Sequence, residues 1–263
     1  MNKYSNTMSN RIALISVYMN TVAYCKKAKL PLAKSSEYSY FDAEFNDTIF
    51  FATNKPLDQP ARVLVENIDS FDMAKKIGAV TDDRVLVLNL ASDTRAGGGV
   101  EWGARAQEEE LFRKSNYHQV LDPASYPLAS DQVIYSPLVH IIKDNKYNLL
   151  CNFLSVSCLA VAAIRNPKLV KQGAKVFYAD SMDYAIMERK IDIIFKVAIK
   201  QKHQHIVLGA LGCGAYNNPT EEVAKMFSKA VDKYRFYFRT IGFAVLSGHG
   251  NTNCEIFERF LLQ

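Results

Sequence analysis

Residues 85–110 read VLVLNLASDTRAGGGVEWGARAQEEE, and how this stretch folds decides the fold of the chain. Val85 to Leu90 is a continuous run dominated by apolar residues. Such a run predicts a strand buried on both faces, as in a parallel sheet covered by helices. Gly97, Gly98 and Gly99 follow it, at the place where α/β folds hold ligands. Without Cβ atoms they let the main chain approach a bound molecule closely. A helix is expected from near Ala104. Beyond seven intervening residues stand Gln107, Glu108 and Glu109. A carboxyl group beside a pocket lined by main chain can serve as general acid and base. On a helix, neighbouring side chains point about 100° apart, so Glu108 and Glu109 cannot share one role. On these residues alone, a flexible glycine turn and a solvated acidic first turn of a helix explain the pattern equally well.

A second unit, residues 205–218, reads HIVLGALGCGAYNN. It predicts a strand over 205–211, a tight loop over 212–217 and a helix over 219–234, with Asn218 as N-cap and Pro219 at the first helical position. Free main-chain N–H groups and the helix dipole suit such a loop to phosphate. It is not a Walker loop, because no Gly-Lys-Ser/Thr occurs. It is not a full dinucleotide fingerprint either, because Asn217 stands where the third glycine belongs. Tyr216 suits packing on a ribose or base, or in the core; Trp102 poses the same choice. Cys213 reads as a small apolar residue in a turn rather than a nucleophile paired with His249.

Outward from these two units, Ile12, Ile15, Met19, Val22 and Ala23 predict a helix over 10–28. Residues 30–60 read as loop-rich. A strand is expected over 62–66, and a helix capped by Ser70 over 71–77. A short strand is expected over 132–137, and 148–163 is open between strand and helix. A helix is expected over 184–202 and a strand over 241–246. A loop with His249 and Asn251 then leads into a helix over 255–262. Strand and helix alternate, which makes the class α/β with a mainly parallel or mixed sheet.

Composition narrows the function classes. Among 263 residues 49% are apolar, enough for a substantial core, which argues against global disorder. The net charge of +5 is mild and no run of five like charges occurs, unlike the dense basic stripe of a duplex-DNA binder. The five cysteines are odd in number and form no CxxC pair. That argues against a disulfide framework and a structural zinc, and places the protein in a reducing compartment, cytoplasmic or otherwise intracellular. Ile12 to Met19 imitates a signal peptide, but Asn20 interrupts it and no cleavage site follows. No stretch approaches the ~20 apolar residues that span a bilayer.

Taken together, GGG, seven residues and QEE resemble the signature of poly(ADP-ribose) glycohydrolases. The flanks resemble the microbial-type members: VLVLNLAS, YPL at 126–128, IYSP at 134–137, VLGALGCGAYNN at 207–218 and FAVLS at 243–247. The resemblance runs from about residue 10 to the C-terminus and is weakest before residue 60. It implies a macrodomain-like three-layer α/β/α sandwich with a mixed, mostly parallel sheet, over residues 61–263. Residues 1–60 are then an N-terminal helical and loop extension packed on it.

The activity implied is hydrolysis of ribose–ribose O-glycosidic bonds with release of ADP-ribose. Glu109 is implied as the catalytic acid, with Glu108 orienting the ribose. Asn89, Ala91, Gln107 and the glycines 97–99 are implied around the substrate. So are Gly212, Cys213, Gly214, Ala215 and Tyr216, which stands where many members carry Phe. No metal or cofactor is implied; the partner is the polymer or an ADP-ribosylated protein, and the chain is expected to be a monomer. Two departures stand out. Thr94-Arg95-Ala96 replaces a common Asn-Pro pair, with Arg95 read as exposed, and GHGNTN at 248–253 lacks the usual Asp. A hydrolase for single ADP-ribosyl groups and a non-catalytic ADP-ribose-binding module are the alternatives.

Overall fold

The computed structural model describes residues 3–247, 250 and 252–262. His249 and Asn251, part of the sequence reading, lie outside the described residues. The chain runs through α1 (Lys3–Ala28), β1 (Ser36–Ser39), α2 (Asp47–Thr53), β2 (Arg62–Glu66), α3 (Ser70–Gly78), β3 (Leu86–Leu90) and α4 (Gln107–Lys114). It continues through β4 (Gln132–Lys143), β5 (Leu149–Val161), β6 (Leu169–Gln172), β7 (Lys175–Tyr178), α5 (Ser181–Lys200), β8 (His205–Leu208), α6 (Thr220–Tyr234), β9 (Thr240–Ala244) and α7 (Asn253–Leu261).

Seven strands form one sheet in the order β1-β4-β5-β3-β8-β9-β2, and β6 and β7 form a separate hairpin. The pairs β3–β5, β3–β8, β8–β9 and β2–β9 are parallel, while β4 is antiparallel to β1 and β5. Alternate residues of β3 face opposite layers, as the pleat requires. Leu86 and Leu88 join a core with α5, α6 and α7, and Val87 joins a second core with α1, α3 and α4. The sheet is thus covered on both sides, which is why VLVLNL needs no polar face.

The chain leaves β3 toward β4 and β5 on one side and returns to β8 on the other. β3 and β8 pair only at Leu86–Ile206 and Val87–Val207, so they part toward their C-terminal ends. Such a switch point leaves a crevice at the strand ends.

Several elements differ from the sequence reading. The helix α1 buries Leu14, Tyr18, Thr21 and Cys25, while Ile12 and Met19 are about 60% exposed (59% and 61%). The helix carries two apolar stripes, and a polar Thr21 weakens the one that packs. The Thr21 hydroxyl donates to the Arg113 carbonyl (2.5 Å) and accepts from Lys143 Nζ (2.7 Å). β4 runs on past Pro137 because the register shifts between Ser136 and Val139, and a bulge accommodates the proline. Asp69, not Ser70, caps α3, accepting from Phe71 N and Asp72 N. Asn218 does not cap α6, whose N-cap is Pro219. Its buried amide instead ties the loop to Ile164 and Gly212 carbonyls at 2.7 and 3.2 Å.

Candidate active site

Parting of β3 from β8 leaves main-chain groups of β3 without a strand partner. Gln107, the first residue of α4, supplies one. Its Nε2 donates to the Leu88 carbonyl (2.7 Å) and to Ser70 Oγ (3.1 Å), and its Oε1 accepts from Leu90 N (2.9 Å). A side-chain amide thus stands in for the missing strand, satisfying groups that would be costly if buried unpaired. It also pins the N-terminus of α4 to the end of β3.

That pinning sets the two carboxylates. Glu108 is 2% exposed. Its Oε1 accepts from Asn89 Nδ2 (3.1 Å) and Gly97 N (3.2 Å), and its Oε2 accepts from Ser92 N (2.7 Å). Burial pushes its pKa up to about 8, against the pull of these donors, and the charge of Glu109 adds to the rise. Glu109 is 7% exposed. Its Oε1 accepts from Gly99 N (2.8 Å) and its Oε2 from Ala106 N (3.1 Å). The second bond is half of a capping box, in which the third helical residue reaches back to the N-cap. The acidic first turn therefore does hold the helix end, and the same bonds aim Glu109 at the glycine loop.

The glycine loop closes over both. A Cβ on Gly98 would lie 2.6 Å from Glu109 Oε1 and 3.2 Å from Glu108 Oε2, and its φ is +54°. Only glycine fits there. Behind the loop a one-turn helix (Val100–Trp102) ends at Gly103, whose Cα faces the Arg11 carbonyl of α1. Buried Arg113 donates to the Ala104 carbonyl at 2.8 Å, bracing the same loop.

The second loop meets the first through Tyr216. Its hydroxyl donates to Asp93 Oδ1 (2.8 Å) and accepts from Asp93 N (3.1 Å) and Arg165 Nη2 (2.6 Å). Arg165 lies over the Tyr216 ring at 4.2 Å and forms a forked ion pair with Asp93. The guanidinium holds the Asp93 carboxyl below the ordinary range. Sequence reading missed both partners. Asp93 was signalled by its place after a buried strand; Arg165 had no signal, because it lies outside both motifs.

One cleft of 1360 Å³ joins these parts. Of the expected substrate residues, Ala91, Gly98, Gly99, Gln107, Gly212, Gly214, Ala215 and Tyr216 line it, together with Glu108 and Glu109. Asn89 and Gly97 sit behind it as donors to Glu108. Cys213 turns away: its Sγ lies 3.6 Å from the Leu211 carbonyl, and burial pushes the thiol up to about 12, which rules against a thiolate nucleophile. Arg95 is exposed, as expected, and lines the cleft beside Trp102. Among the described residues no cluster of His, Cys, Asp or Glu suits a metal ion. No helix among them is long and apolar enough to cross a membrane.

Comparison with known proteins agrees with this geometry. Residues 15–144, which hold the glycine loop and Gln107 to Glu109, match the family model described as microbial-type PARG, catalytic domain. No curated protein sequence matches. The fold is similar to that of poly(ADP-ribose) glycohydrolase from Thermomonospora curvata, with TM-score 0.75 and 21% identity over 95% of this chain and 99% of that one. The Thermomonospora curvata glycohydrolase bound to the inhibitor ADP-HPD gives TM-score 0.77 and 22% identity over 95% and 99%. The Deinococcus radiodurans glycohydrolase in complex with ADP-ribose gives 0.73 and 24% over 87% and 94%. Residues 15–144 are thus similar to the microbial-type PARG catalytic domain, and the fold along nearly the whole chain is that of the poly(ADP-ribose) glycohydrolase structures.

Proposed function

We propose that the chain hydrolyses the ribose–ribose O-glycosidic bonds of poly(ADP-ribose) and releases ADP-ribose, with Glu109 as general acid and base. The observation that carries this reading is the placement of the Glu109 carboxyl. It is nearly buried, held by Gly99 N and Ala106 N, and set against a glycine loop at the wall of a cleft that a second main-chain loop also lines. Main-chain donors and the N-terminus of a helix suit a diphosphate.

Cleavage of a glycosidic bond passes through an oxocarbenium-like centre and needs a proton on the leaving oxygen. Glu109 gives that proton as the bond from the anomeric carbon to the leaving ribose oxygen breaks. Water then adds to the anomeric carbon and returns a proton to Glu109, so that atoms and charge balance. Glu108 acts through the loop: its three accepted hydrogen bonds fix Asn89, Ser92 and Gly97. Tyr216, bonded to Asp93, limits the sugar's freedom on the other side. The five free cysteines support the reading of a reducing, intracellular compartment.

The test is product analysis on two substrates, the polymer and a protein carrying single ADP-ribosyl groups. Free ADP-ribose from the polymer is expected. A folded enzyme that frees ADP-ribose only from the singly modified protein, or from neither, contradicts the proposal.

A further inference from the structure

The mechanism above leaves unused the chain's only tryptophan and two guanidinium groups at the cleft. Trp102 lines the cleft with 54% of its surface exposed, so it is not a core residue. Arg95 Cζ stands 4.7 Å from the centre of its ring. Arg105, three residues further along the chain, lines the same cleft. The arginine ion pairs among the described residues involve Arg113, Arg165, Arg235 and Arg259, and neither Arg95 nor Arg105.

The ring stands close to the acid. The point where a Gly99 Cβ would lie is 3.6 Å from Glu109 Oε1 and 4.0 Å from Trp102 Cε3. Acid and ring edge therefore flank one residue of the loop. Trp102 N and Ala104 N both donate to the Gly99 carbonyl, at 3.0 and 3.1 Å, so the main chain that carries the ring is tied to the residue beside the carboxyl. The cleft, at 1360 Å³, also exceeds the roughly 300–1,000 Å³ that houses one drug-sized ligand. It has room for more than one nucleotide unit.

An exposed aromatic face with arginines beside it is the chemistry that holds a nucleotide: the ring stacks on a base and the guanidinium pairs with phosphate. A general acid stands next to the leaving oxygen, so whatever carries that oxygen lies beside Glu109. Tyr216 and the 212–216 loop, by contrast, are anchored at Asp93. We infer that Trp102, with Arg95 stacked on it and Arg105 beside it, forms a second nucleotide subsite. It holds the ADP-ribose unit on the leaving side of the scissile bond and favours polymer over single ADP-ribosyl groups. This inference rests on Glu109 being the acid.

Trp102→Ala, Trp102→Phe and Arg95→Ala test it by kinetics on polymer and by calorimetric affinity for ADP-ribose. Trp102→Ala is expected to raise KM for polymer about tenfold, within the range for loss of one base stack. Its kcat and its affinity for ADP-ribose stay within twofold of wild type, Trp102→Phe recovers most of the loss, and Arg95→Ala raises KM as well. An unchanged KM, or ADP-ribose affinity falling in step with it, overturns the inference. Because Trp102 is the only tryptophan, its fluorescence reads the subsite without turnover. A two-unit ADP-ribose oligomer should change the emission and ADP-ribose alone should not. Equal responses, or none, overturn the inference even if the wild type fails to cut polymer, an outcome that would count separately against the proposed activity.

Discussion

A methyl group on Gly98 would press on both carboxylates, 2.6 Å from one and 3.2 Å from the other, at a φ of +54°. Gly173, in the turn between β6 and β7, has a similar φ of +62° with nothing within 4 Å. Alanine at either position brings the left-handed strain of about 1–2 kcal/mol. Only Gly98→Ala displaces the acid, so it should cut kcat/KM by about 100-fold or more while Gly173→Ala leaves it unchanged. Urea denaturation and kinetics on the pair check this; equal activities would contradict the packing argument. Glu108 makes a separate prediction. Its folded pKa of about 8 lies above the ordinary 4.5, so folding takes up a proton between those values. The stability this contributes is complete below 4.5 and is lost as pH rises through about 8. Melting temperature should therefore fall from pH 5 to 8, and Glu108→Gln should flatten the slope. An unaltered slope would show that Glu108 is not the group responsible. The sequence announced the carboxylates and the glycines because their chemistry depends on residue type and spacing. It concealed which carboxylate is the more deeply buried, since that follows from Asn89, Ser92 and Gly97 converging on Glu108.

Between elements, the cleft depends on two loops being held together. The Tyr216 hydroxyl and the Arg165 guanidinium both converge on Asp93, so the loop after β8 is bonded to the loop after β3. Tyr216→Phe and Asp93→Asn each break that link, and their effects on kcat/KM should not add. A double-mutant cycle is expected to give a coupling of roughly 1 kcal/mol or more. Additive effects would mean that the link does not position the loops. β3 was legible because a strand buried on both faces is apolar throughout. β4 was legible only as far as Pro137, which imitates a strand end, and β5 stayed open between strand and helix because only its second half is buried. β6 escaped notice since all four of its residues are exposed and no hydrophobic period marks it. α1 was legible from residue 10 onward although it begins at Lys3, and Ile12 and Met19, which marked it, do not pack, because the packing stripe includes a threonine that bonds across to α4 and β4.

For the whole molecule, the strand order gathers the site: two parallel strands part, and loops from both, with a helix N-terminus between them, face one crevice. The α/β class followed from the alternation of strands and helices in the sequence, whereas the three-layer sandwich came only with the family resemblance. The place of β1 at the sheet's edge did not, because a four-residue strand pairs through its main chain and leaves little trace in side-chain pattern. The central claim is that one carboxyl, Glu109, supplies the proton while the rest of the cleft holds ADP-ribose. In Glu109→Gln the amide retains one of the two bonds to Gly99 N and Ala106 N, a loss of about 1 kcal/mol, so the fold should persist. The most direct measurement sets polymer hydrolysis beside the rise in melting temperature caused by ADP-ribose, for wild type and Glu109→Gln. Turnover should fall by at least about 1,000-fold while the ADP-ribose-induced rise survives. Turnover near the wild-type rate in a folded Glu109→Gln protein would contradict the central claim.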